Sequence, residues 1–528
     1  MTPQCDAACC RSRIGLKEEV TRHGTACLLL LLSSFLIAGA NGASAVFRER
    51  QAPLGGLLYY VNTTSDTVTA GACANGLANC SLRGAMQAAN SHPGEDGIEF
   101  SLPAGSVINL TQALPGITDG LTIFGPGASQ LTVRRNSGGD YRIFKVAFPA
   151  QVAVTLSGLT ISNGRSTFSV TEEDAGGGGI ANNSQSTVNV TNCVLIGNSA
   201  PGAAGGAIFN YNGTMNVSGC TLSGNSSQSG GGIANASGVT AGTLNVSSSL
   251  IRDNTVSQAD SGGGISNSAI TTISNSTLSG NRAGTGGGIR NSGTLTVTNS
   301  TVAGNVATFL NGGGIANSSA NPVNVKSTIV ALNTAPPGNV SDVGGAFLSH
   351  GFNLIGKTDG STGFNQATDV VGTEAVPRNP KLDPAGLQHN GGPTQTIALL
   401  PGSPALDQGT SNGLTGSLTS DQRGNGFART ADYSNIGNAA GVDGTDIGAV
   451  EGTALEITAI TRQPNAVLLI QGRGTPNRPH TVEASADLDP NSYVAFPNQI
   501  NADGTGALQQ QDTPPSSARK RFYRLRFP

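Results

Sequence analysis

The chain contains no tryptophan, and aromatic residues occupy only 4% of its 528 positions. Charged residues make up 12%, about half the ordinary share. The formal net charge of −3 leaves no basic field for a nucleic-acid partner, which sets that class aside. Beyond a shorter N-terminal stretch there is no run of about 20 apolar residues, so no helical membrane span is expected in the mature chain. Helical periodicity is missing as well: between Gly158 and Asn333 no segment repeats its apolar residues every 3.6 positions. What remains is a chain with 75 glycines and short β-branched runs, which suits short strands, tight turns and a surface of Asn, Ser and Thr.

The N-terminal exception reads as an export signal. Arg22 and His23 precede the run Ala26 to Ala38, and Ala43-Ser44-Ala45 fits an A-x-A cleavage site, giving Val46 as the mature start. The run is too short to anchor the protein by spanning a bilayer. A secreted, extracellular or outer-surface location is therefore expected. Cys5, Cys9, Cys10 and Cys27 would leave with residues 1–45, and Cys73, Cys80, Cys193 and Cys220 would remain. Their spacing matches neither a zinc ribbon nor a C-x-x-C redox pair. In an oxidising compartment an even number permits disulfides. Cys73 and Cys80 are expected to close a small loop.

Internal repeats decide the fold class. Six copies of G-G-(G/A)-I-x-N place isoleucines at Ile180, Ile208, Ile233, Ile265, Ile289 and Ile315, separated by 28, 25, 32, 24 and 26 residues. Between them runs a second element, seen as Thr187 to Asn198, Thr214 to Asn225 and Thr294 to Asn305. There, Val188 and Val190 alternate with Asn189 and Thr191, the period-2 pattern of a strand with one buried face. A unit of about 25 residues cannot bury its apolar face alone, whereas stacked copies do. The expected fold is all-β: a right-handed single-stranded parallel β-helix, a pectate-lyase-like solenoid, with a short helical N-terminal cap and a small C-terminal β-sandwich-like module. Asn182, Asn210, Asn235, Asn267, Asn291 and Asn317 form one expected amide ladder, and Asn198, Asn225, Asn254, Asn281 and Asn305 another. Cys193 and Cys220 occupy equivalent places on successive coils, where Ser249, Ser276 and Ser300 follow. A second disulfide and a stack of free thiols both fit that spacing.

Gly205-Gly206-Ala207-Ile208-Phe209-Asn210-Tyr211-Asn212 resembles the repeats of the chlamydial polymorphic outer-membrane proteins. Cys80-Ser81-Leu82-Arg83-Gly84-Ala85 resembles the C-S-L-R-E-A segment that opens many secreted bacterial β-helix proteins, with Gly84 in place of the usual Glu. Asn390-Gly391-Gly392-Pro393, Leu400-Pro401-Gly402-Ser403-Pro404, Asp421-Gln422-Arg423-Gly424 and Asp446-Ile447-Gly448-Ala449 are similar to choice-of-anchor regions. The resemblance spans about residues 57–452 and implies architecture more than activity. The expected layout is a signal peptide at 1–45, a cap at 46–97, β-helix repeats at 98–380, a choice-of-anchor-like end at 381–452 and a β module at 453–528.

The fold leaves two function classes open. A non-catalytic surface protein, structural, adhesive or glycan-binding, needs only an exposed polar face. A polysaccharide lyase or glycoside hydrolase working in a groove along the helix needs carboxylates that converge for calcium or proton transfer. Between Gly158 and Asn333 the only acids are Glu172, Glu173, Asp174, Asp253 and Asp260, and none aligns with another on a neighbouring coil. The non-catalytic class is therefore preferred, with no catalytic residue and no cofactor assigned. Calcium is the one metal to consider, at Glu172, Glu173 and Asp174 or at Asp443, Asp446 and Glu451. Partners would be polysaccharides or cell-surface and matrix components, met by a monomer.

Overall fold

The computed structural model of the chain describes residues 56–73, 79–147, 151–167, 176–238, 240–257, 261–431, 436–452, 456–474, 479–486, 492–503, 507–514 and 521–526. The expected signal segment, Glu172 to Asp174 and Asp260 lie outside them.

Alternating apolar residues and left-handed turn positions wind the chain into a parallel β-helix with three main faces. The first face begins with Leu58–Val61, which pairs in parallel with Asp96–Phe100. It continues through Leu121–Phe124, Ala153–Ser157, Thr187–Thr191, Thr214–Ser218, Thr243–Ser247, Ile270–Ser274, Thr294–Thr298 and Val323–Lys326 to Val343–Ser349. The second face is an 11-stranded sheet running from Ser106–Leu110 to Val370–Val371. The third carries the G-G-(G/A)-I copies. Phe144 pairs with Ile180, followed in register by Ile208, Ile233, Ile265, Ile289, Ile315 and Val343. All six repeat isoleucines are fully buried, as their spacing implies; burying each contributes roughly 1.5–3 kcal/mol.

The turn chemistry follows from backbone sterics. Between the first and second faces, Asn192, Ser248, Asn275, Asn299 and Ser327 all take positive φ, as does Gly219 in the same slot. At the entry to the third face Gly205 has φ +70°, and a Cβ on Gly206 would lie 2.2 Å from the Gly231 carbonyl of the next coil. Only glycine lets successive backbones approach that closely.

Both amide ladders form. In one, the side-chain nitrogens of Asn182, Asn210, Asn235, Asn267 and Asn291 each donate to the next asparagine oxygen at 3.0, 2.8, 3.1, 2.7 and 2.8 Å. In the other, Asn198, Asn225, Asn254, Asn281 and Asn305 donate in series at 3.1, 2.9, 2.9, 2.9 and 2.9 Å, the last to Asn333. That series ends on a carboxylate, since Asn333 donates to Asp342 at 2.9 Å.

At the N-terminal end, Ser81 caps the helix Leu82–Ser91 by accepting from the Gly84 amide. Cys73 and Cys80 are disulfide-bonded beside it. A Cβ on Gly84 would sit 3.2 Å from the Cys73 sulfur, which gives a packing reason for a glycine there. Arg83 grips Asp66 through two guanidinium nitrogens and donates to the Gln112 and Ala113 carbonyls. At the other end, Glu456–Arg462, Leu468–Arg473 and Ala507–Asp512 form one antiparallel sheet. Pro479–Ser485 pairs antiparallel with Val494–Ala495, Ile500–Asn501 and Phe522–Arg526 in another. Among the described residues no helix is long and apolar enough to cross a membrane.

Candidate binding face

The outward positions of the first face line up into columns because its strands pair without a register shift. One column reads Thr187, Thr214, Thr243, Ile270 and Thr294. The middle one reads Thr155, Asn189, Asn216, Asn245, Thr272 and Thr296, and a third Ser157, Thr191, Ser218, Ser247, Ser274 and Thr298. None of these residues is charged; beyond them the third column runs into Lys326 at one end and into Phe124 and then Glu99 at the other. Part of the middle column is internally bonded: Asn245 donates to Asn216 at 2.9 Å and Asn216 to Asn189 at 2.8 Å. Asn189 in turn reaches the Thr155 hydroxyl at 3.3 Å. The side chains are thus fixed in a repeating array, with rungs about 4.8 Å apart.

One edge of this face is closed by residues 405–431 and 436–452, which turn back along the flank of the solenoid. Asn299 donates to the Thr410 carbonyl at 2.9 Å, Asn275 to Ser420 at 2.7 Å, and the Ala449 amide to Thr301 at 3.0 Å. Ala303, Ile329, Ala331 and Leu354 of the second face form an apolar cluster with Leu382, Ile397, Leu399, Ala405, Leu406 and Ile447. Thr298 is buried beside this segment, whereas Asn189, Asn216, Asn245, Thr272 and Thr296 keep solvent contact.

The acids singled out in the sequence are placed differently from one another. Asp446 is fully buried and accepts from the amides of Asp407 at 2.7 Å and Gly452 at 2.5 Å. Burial pushes its carboxyl up to about 7, against the pull of those amides. Glu451 accepts from the Asp446 amide at 2.9 Å and lies 3.1 Å from Arg429, itself fully buried. Burial, and then the Asp446 charge, raises the Glu451 carboxyl well above the usual range. Asp421 pairs with Arg423 at 2.6 Å and accepts from the Glu451 amide at 2.8 Å. Asp443 bonds instead to the amide and hydroxyl of Ser411. These contacts tie together the segment that covers the flank. Among the described residues, no three His, Cys, Asp or Glu side chains are gathered as metal ligands. Asp253 takes positive φ in a turn and pairs with its neighbour Arg252 at 2.6 Å. His350 bonds to Asn324 at 3.1 Å.

Cys193 and Cys220 are free and buried. The Cys193 amide donates to the Cys220 sulfur at 3.4 Å, as the Cys220 amide donates to the Ser249 hydroxyl at 3.1 Å one coil later. The thiols thus do the work that hydroxyls do further along the same ladder.

No protein-family model matches the chain. No curated protein matches it either. Among solved structures, the crystal structure of pectate lyase Pel9A is similar at 15% identity and a TM-score of 0.37, over 75% of this chain and 96% of that one.

Proposed function

We propose that the chain is an exported, non-catalytic β-helix protein that works at or outside the cell surface by adhesion to, or binding of, glycan. The observation that carries this reading is the uncharged, ordered array of hydroxyl and amide side chains on the first face. Such groups hydrogen-bond sugars but do not shuttle protons near neutral pH, which acid–base catalysis requires. The likeness of residues 57–452 to secreted bacterial β-helix proteins with C-S-L-R-E-A and choice-of-anchor segments supports export, as does the Cys73–Cys80 disulfide. Asp443, Asp446 and Glu451 read best as closure of the flanking segment, since each accepts from protein donors within it.

Incubation of the mature protein with neutral and acidic polysaccharides, with and without calcium, tests the reading. Retention without new reducing ends or unsaturated products is expected. Turnover that disappears on replacing Asp253, Asp260 or Glu172–Asp174 would replace it with the polysaccharide-cleaving alternative.

A further inference from the structure

The chemistry of the open face narrows its partner. We propose that this face docks on a flat, crystalline, uncharged polysaccharide, with the sugar chains lying along the solenoid axis; the proposal rests on the glycan-binding reading above. Charge comes first. From Thr155 to Thr296 the middle column holds no ionic group, so an acidic polymer would lose the hydration of its carboxylates without gaining a counter-charge. Shape comes second. The columns lie on an in-register sheet, bounded on one side at its C-terminal end by the returning segment at Thr410. A single soluble chain is best held by concave walls; an array that repeats in register meets an ordered lattice of chains. Composition comes third. Protein interfaces concentrate aromatic residues, Met and Arg, and none stands in these columns between Thr155 and Thr298.

Order and scale agree with this. The Asn245–Asn216–Asn189 series fixes its amides before any partner arrives, which lowers the entropy lost on docking. Five or six rungs at about 4.8 Å across three columns give a patch of at most roughly 24 by 13 Å. A patch that small implies weak, reversible attachment that gains from many copies on one surface.

The experiment is a pull-down on microcrystalline cellulose and chitin, beside soluble neutral glycans, soluble polygalacturonate and polycrystalline ice. The variant Thr187→Arg/Thr272→Arg places bulky charge on two columns, and Ile196→Arg does the same on the exposed outer side of the second face. Thermal melts establish that both variants fold. Expected is retention of the wild type on a crystalline glycan, unchanged in 0.5 M salt, about tenfold weaker for the double variant and unaltered for Ile196→Arg. If the double variant melts early, Thr272→Arg alone is used. Equal retention of the variants overturns the assignment of the face. Binding only to soluble glycans overturns the crystalline partner while leaving the glycan reading intact. Retention by polygalacturonate or by ice alone, or by nothing, overturns both.

Discussion

Ile289 and Asn291 sit two residues apart on one strand and are buried for different reasons. Ile289 is a rung in an apolar column between Ile265 and Ile315. Asn291 accepts from Asn267 at 2.7 Å and donates to Asn317 at 2.8 Å. Ile289→Asp would place an unpaired charge inside that column, a change that belongs to the rare class costing more than about 4 kcal/mol. Asn291→Ala removes one amide and leaves its neighbours short of a partner, at about 1–3 kcal/mol. Urea denaturation should therefore show loss of the folded coils for the first and a modest midpoint shift for the second. An Ile289→Asp protein that unfolds with wild-type midpoint would refute the inward column. Both residues were legible in the sequence because their offset recurs six times. The serine and cysteine slot was legible by position too, but spacing alone fits both a disulfide and free thiols, and the thiols are free.

The ladder as an element has a direction, and its end has a consequence. Five asparagines pass hydrogen bonds along the stack until Asn333 donates, through both its amide and its side chain, to one oxygen of Asp342. The other Asp342 oxygen is buried and has no hydrogen-bond partner among the described residues. Burial pushes the carboxyl up to about 6, against the Asn333 donors and the charge of Lys357. An acid whose folded pKa exceeds its unfolded value holds its proton more tightly in the fold. Its contribution is therefore full below about pH 4 and is lost as pH rises through about 6. Asp342→Asn keeps the accepting oxygen and removes the titration. The stability difference between variant and wild type should thus move by about 2–3 kcal/mol in the variant's favour between pH 4 and pH 7. Denaturation midpoints for the pair across that range measure it, and parallel curves would count against a buried, titrating ladder end. No sequence pattern marked this end, because Asp342 stands nine residues after Asn333 and off the repeat spacing.

At the scale of the whole molecule, the solenoid was readable and its flank was not. Period-2 alternation and the six G-G-(G/A)-I copies require stacked coils wherever they occur. Nothing comparable announces that residues 405–431 and 436–452 return alongside the helix. The one available trace is a change in the second face's outward positions, from Ser223, Arg252 and Ser279 to Ala303 and Ala331, which are buried under the returning segment. That segment is held by a buried charge cluster in which Arg429 stands beside Glu451 and donates to the Gly448 carbonyl. Arg429→Met would leave the Gly448 carbonyl and the Glu451 carboxyl without their partner at a site closed to water, a loss of about 1–3 kcal/mol. The damage should be local, because the repeat coils hold their own apolar columns and amide ladders. Hydrogen exchange should then show protection lost across 405–431 and 436–452 while Ile265–Asn267 and Ile289–Asn291 stay protected. Adding Glu451→Gln, which leaves no carboxyl there to ionise, should recover part of that protection as pH rises. Asp446 adds a pH term of the same sign as Asp342. Its carboxyl, raised to about 7, favours the docked segment in acid and opposes it as pH rises through neutrality. Exchange in the flank should accordingly quicken between pH 4 and pH 7 beyond the intrinsic rise in amide exchange, level off above that, and change more in Arg429→Met. A loss of protection spread evenly over the coils would instead mean that flank and solenoid unfold as one unit.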